Sequence, residues 1–247
     1  MEQKVRYYLL DLIRGICILL VVGYHILFDL SEVFGGQYVF FRSTAMTNFR
    51  HCFVGCLVIL AGISCSFTRS NLKRGLKTLF WGMVITGVTS FIMPSQQITF
   101  GILHFFGTAM LLYGLLEKPI GKIPTVPGLV VSVFLLITTW NLYGGIWGIP
   151  GLFTLPLPEM GHHFPLFVLG FRTGHGSSDY YPLMPWLFLF FVGVFLGRYF
   201  KAGTVPKIFQ KNPVPLLTKI GQHTLWIYLI HQPVVYGILY IWFTYIR

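Results

Sequence analysis

Of the chain's 247 residues, 55% are hydrophobic, 17% aromatic and only 10% charged, against about 25% charged in an ordinary soluble domain. Too little charge to wet a surface excludes a soluble enzyme, a disordered segment and a disulfide-stapled secreted module. The net charge of +11 would suggest nucleic acid in a soluble protein. Here the basic residues sit in short loops between apolar runs, where they set membrane topology, so no nucleic-acid partner is expected.

A bilayer is crossed by about 20 mostly apolar residues. Seven stretches meet or approach that length, over residues 8–29, 47–68, 76–94, 99–116, 126–143, 182–200 and 222–245. The expectation is an all-α polytopic membrane protein, with residues 1–247 forming a single transmembrane domain. The first span is too long, and too rich in ionisable residues, for a cleavable signal peptide. Lys and Arg number thirteen in the amino terminus and the loops 69–77, 117–125 and 198–219. The opposite side holds four, Arg42, Arg50, Arg172 and Arg247. This asymmetry predicts a cytoplasmic amino terminus and an external carboxyl terminus. The longer connections, 30–46 and 144–181, then lie outside. The second is rich in Gly, Pro and aromatics, carries His162, His163, His175 and Asp179, and is expected to fold as a lid or acceptor site.

Cys17, Cys52, Cys56 and Cys65 all fall inside apolar segments and read as packing residues rather than disulfide partners. Cys52 and Cys56, like Gly62 and Ser66, have the small-xxx-small spacing that lets membrane helices approach closely.

The first span carries the strongest chemical signal. At about 100° per residue, Asp11, Arg14, His25 and Asp29 fall within a sector of about 60° and extend about 27 Å along the helix. Such a stripe cannot face lipid, where each charge costs several kcal/mol, so it faces protein or a water-filled path. His25 and Asp29, at i and i+4, are spaced for a hydrogen bond that would orient the imidazole. The competing reading is a buried network that only joins helices. His104, in Phe100-Gly-Ile-Leu-His, and His231, in His231-Gln-Pro233, lie at the outer ends or middle of other spans, and Asp179 precedes the sixth. On the inner side Arg69, Lys73, Arg74 and Lys77 follow i, i+4, i+5, i+8. On one continuous helix Arg69, Lys73 and Lys77 would share a face suited to phosphates, with topology and anionic lipid as the plainer explanation.

Leu10-Asp-Leu-Ile-Arg-Gly15 running on to Tyr24-His-Ile-Leu-Phe-Asp-Leu30 resembles the opening helix of the heparan-α-glucosaminide N-acetyltransferase catalytic-domain family, within the transmembrane acyltransferase superfamily. The likeness continues through Leu60-Ala-Gly-Ile-Ser64, Lys73-Arg-Gly-Leu76, Phe100-Gly-Ile-Leu-His104, Asp179-Tyr-Tyr-Pro-Leu-Met-Pro-Trp186 and His231-Gln-Pro233. The resemblance implies transfer of an acetyl or other acyl group from cytoplasmic acyl-CoA to a sugar or other glycan at the outer face. Arg14 and His25 match the Arg and His of the superfamily's first-helix motif, which makes His25 the leading catalytic candidate.

On that basis His25, oriented by Asp29, would be the base, and His104 would stabilise the oxyanion or leaving group. Arg69, Lys73 and Arg74 would take CoA phosphates, and Arg14 the pantetheine or pyrophosphate. Asp179, His231 and Asp11 would contact the acceptor. The expected partners are acetyl-CoA, a glycan acceptor, membrane lipids and a second copy in a homodimer, with no metal, in a bacterial cytoplasmic membrane. The alternatives are a proton-coupled small-molecule transporter, since intramembrane Asp, Arg and His mark such pathways, and a haem or metal protein using His25, His104 and His231.

Overall fold

The computed structural model describes residues 6–36 and 38–246; Lys4 and Arg247, which enter the charge count above, lie outside the described residues. Its long elements are helices: α1 (Tyr8–Phe28), α2 (Thr44–Cys65), α3 (Asn71–Ile92), α4 (Ile102–Lys122), α5 (Thr125–Thr138), α7 (Leu183–Lys201) and α9 (Thr224–Ile241). The short α6 (Phe164–Leu169) and α8 (Pro215–Gln222) and a two-stranded hairpin, β1 (Ile146–Ile149) and β2 (Phe153–Pro156), complete the set. Among the described residues six segments are long and apolar enough to cross a membrane. The protein is an integral membrane protein. The expected fourth span corresponds to α4, which is long enough but carries His104, Glu117, Lys118 and Lys122 and so is less apolar than the other six.

The chain forms two compact units, one of Met1–Leu57 with Val205–Arg247, the other of Val58–Thr204. In the first, α1 packs against α8 and α9. Backbones come very close where α1 meets α8: a Cβ added at Gly221 would overlap the Asp11 carbonyl, and one at Gly15 the Leu217 carbonyl. Past Phe28 the helix widens into a π-helical turn over Asp29–Val33, with Phe34 N–H donating to the Asp29 carbonyl at 2.9 Å. Single π turns of this kind are frequent at functional sites.

In the second unit α3 packs along α4 and α5 along α7. Gly62 and Ser66 at the end of α2 lie against Gly193 and Gly197 of α7, whose backbone leaves no room for a Cβ. Cys52 and Cys56, earlier on α2, are exposed instead, and all four cysteines are free thiols. Arg198 closes the far end of α4 by donating to the Ile123 and Ile120 carbonyls at 2.6 and 2.7 Å. The connection from Thr139 to Pro182 is folded: β1 and β2 pair antiparallel, Trp147 opposite Leu155, and Tyr180 stacks on the buried Phe167 with ring centres 4.3 Å apart. Burial, with Tyr143 alongside, pushes the Tyr180 hydroxyl above its usual range.

Candidate active site

The polar stripe of α1 resolves into two clusters. At the start of the helix Asp11 is held between two guanidiniums, Arg14 at 2.7 Å and Arg6 at 3.1 Å. Its carboxylate is thereby engaged, which makes it a support for Arg14 rather than an open acceptor contact. A negative side chain in the first turn also suits the positive end of the helix dipole.

Near the other end, His25 and Asp29 do not pair as their spacing suggested. Asp29 is fully buried, and its Oδ1 accepts from the Gln232 side-chain amide on α9 at 2.8 Å. The π turn that begins at Asp29 belongs to the segment packed against α9, so the carboxylate is spent on that helix instead of on the preceding turn. The His25 ring meets the His231 ring edge to face, centres 4.7 Å apart. Tyr24 and Phe28 complete its aromatic surround. His231, also buried, has its Nδ1 2.6 Å from the Tyr228 carbonyl one turn back. Thus α1 and α9 bring together three of the residues singled out from sequence, His25, Asp29 and His231.

Gln232 was missed, although a polar pair inside the apolar run Tyr228–Tyr236 was its visible signal. Arg50 was counted only toward topology. It lies within α2 with its guanidinium 5.6 Å over the Tyr24 ring, and its Nη1 donates to the Tyr24 hydroxyl at 3.4 Å. An Arg inside a span deserved the same weight as Arg14.

The candidates of the second unit serve the start of α4. The buried His104 accepts from the Gly101 N–H through Nδ1 at 3.2 Å, so the proton sits on Nε2, 3.1 Å from the Thr86 hydroxyl. That hydroxyl in turn donates to the Ile98 carbonyl at 2.7 Å. Both ring nitrogens are engaged, and an oxyanion donor needs a free N–H. In this structure His104 bonds both Gly101 and Thr86 at the α4 start. Asp179 accepts from the Ile102 N–H at 3.0 Å, satisfying a donor that the first turn of a helix leaves open. In the folded connection between α5 and α7 the His162 and His175 rings meet edge to face at 5.7 Å.

The basic cluster differs from expectation in one respect. The helix begins only at Asn71, because Ser70 accepts the Lys73 N–H at 3.3 Å as its N-cap. Arg69 therefore precedes the helix and does not share a helical face with Lys73 and Lys77. Arg74 is partly buried and donates to the Thr68 hydroxyl at 3.2 Å, while Arg69, Lys73 and Lys77 are exposed. With no acidic residue in the first turn, cations crowd the positive end of a helix dipole. That placement is unfavourable for the helix alone and favourable for a bound anion.

These features define a polytopic membrane protein with a His–His–Asp cluster, in which Asp29 and His231 are buried, and a cationic helix start. Residues 6–233 match the family described as heparan-alpha-glucosaminide N-acetyltransferase, catalytic, and the chain belongs to that family of membrane acetyltransferases. No curated protein and no solved structure matches it.

Proposed function

We propose that the protein transfers an acetyl group from cytoplasmic acetyl-CoA to an amino-sugar or other glycan acceptor at the outer face of the membrane. The observation that carries this reading is the contact between His25 and His231, two imidazoles 4.7 Å apart inside apolar helices and beside a fully buried carboxylate. Acyl transfer needs a base for the attacking group and a donor for the developing oxyanion, and a pair of imidazoles supplies both. His25, whose ring is held by aromatic contacts, is the donor facing the thioester carbonyl.

Arg69, Lys73 and Arg74 at the start of α3 take the CoA phosphates, where the helix N–H groups and the guanidinium fork add to simple charge. In the first unit Arg14 is braced by Asp11. From Arg14 to His25 the helix rises about 16 Å, a reach a pantetheine arm roughly spans.

The test is a proteoliposome assay with acetyl-CoA supplied on one side and glucosamine on the other. N-acetylated product on the acceptor side, dependent on His25, supports the reading. Product formed only where donor and acceptor share a compartment contradicts transfer across the membrane.

A further inference from the structure

We propose that His231 Nε2, Asp29 Oδ2 and Gln232 Oε1 form the acceptor subsite, and that His231 is the general base that deprotonates the attacking amine. The assignment rests on the acetyltransferase reading above and adds to it which atoms receive the acceptor. Each of the three atoms is buried and has no hydrogen-bond partner among the described residues. Gln232 bonds Asp29, and the adjacent His231 touches His25, which lies one turn before Asp29.

Their chemistry is uniform. A carboxylate accepts only, so Gln232 must present its NH₂ to Asp29, which leaves Oε1 as an acceptor. A carbonyl accepts only, so the Tyr228 oxygen 2.6 Å from Nδ1 fixes the His231 proton there. The neutral ring then carries its lone pair on Nε2. Three buried acceptors call for a ligand bearing several N–H or O–H donors, and leaving them unmet in apolar surroundings is costly. A primary amine of a polyhydroxylated acceptor fits that demand. The carboxylate expected to orient His25 instead accepts from Gln232 through Oδ1.

The step balances. The amine lone pair attacks the thioester carbonyl carbon, a C–N bond forms, and an amine proton moves to His231 Nε2. The intermediate collapses with cleavage of the C–S bond, its electron pair leaving on sulfur. His231 returns the proton to the thiolate, which gives the amide and free thiol.

The experiment compares purified wild type with His231→Asn and Asp29→Asn, using acetyl-CoA and glucosamine. Asn at 231 retains a donor in the place of Nδ1 for Tyr228 but removes the base. It should lower kcat about 100-fold or more while acetyl-CoA still binds. Asp29→Asn keeps the contact with Gln232 and should raise the glucosamine KM about tenfold with the acetyl-CoA KM unchanged. Turnover of His231→Asn within threefold of wild type would overturn the assignment, as would an unchanged glucosamine KM in Asp29→Asn. Should wild type bind no acetyl-CoA, the acetyltransferase reading fails. The subsite then stands on thermal stabilisation by glucosamine alone: lost in both variants it is upheld, and absent in wild type or retained in both variants it is refuted.

Discussion

Gln232 on α9 donates its side-chain amide to the fully buried carboxylate of Asp29 at 2.8 Å, across 203 positions of sequence. The bond ties the π turn after α1 to the last long helix and is the carboxylate's one side-chain donor among the described residues. Gln232→Leu removes that donor while keeping the volume. Thermal unfolding in detergent should show a loss of about 2 kcal/mol or more, because a buried carboxylate loses a hydrogen-bond donor. An unchanged midpoint would mean the contact adds nothing to the fold.

The close approach of α1 and α8 leads to a second expectation. Gly221→Ala places a methyl group against the Asp11 carbonyl and should destabilise by about 1–3 kcal/mol, as overpacking does. Gly237→Ala, on α9 with nothing within 4 Å of the added Cβ, should leave stability unchanged or raise it by up to about 1 kcal/mol. The opposite signs, read by parallel melts, check the packing.

Lys73 separates anion binding from topology. Lys73→Glu puts an acid in the first turn of α3, which favours the helix by about 0.3–1 kcal/mol. The same change sets a negative charge against CoA phosphates and should raise the acetyl-CoA KM about tenfold or more while the acceptor KM stays put. A variant with both constants unaltered would return the cluster to setting orientation.

His104 should behave as a structural residue. Because both ring nitrogens are bonded within the α4 start, His104→Ala should lower the melting midpoint, a destabilisation of about 1–3 kcal/mol. Each folded molecule should then turn over within a few-fold of wild type. Full stability with lost turnover would instead place His104 at the reacting atoms.

Much of this was legible in the sequence, for identifiable reasons. The polar stripe of α1 was visible because ionisable residues in an apolar run have few places to go, and the opening motif with its ordered companions pointed to the family. The partners within the stripe were not. Spacing ranks His25 as the neighbour of Asp29, whereas a residue 203 positions away takes the carboxylate; no local rule reports a contact of that separation. The shared face of Arg69, Lys73 and Lys77 requires one continuous helix, whereas Ser70 starts the helix only after Arg69; a Ser followed by Asn at the head of an apolar run is a readable N-cap. His104 stands out in the sequence as a His within an apolar span, in the segment Phe100-Gly-Ile-Leu-His104 that the family resemblance includes. Its engagement by Gly101 and Thr86 depends on how α3 and α4 pack.

The most direct test of the central claim is titration of acetyl-CoA into the detergent-purified protein by calorimetry, with Lys73→Ala/Arg74→Ala alongside. The account predicts micromolar binding to wild type, about −8 kcal/mol, weakened at least tenfold in the double variant. A well-folded wild type that binds neither acetyl-CoA nor longer acyl-CoAs would contradict an acyl-CoA-dependent acetyltransferase.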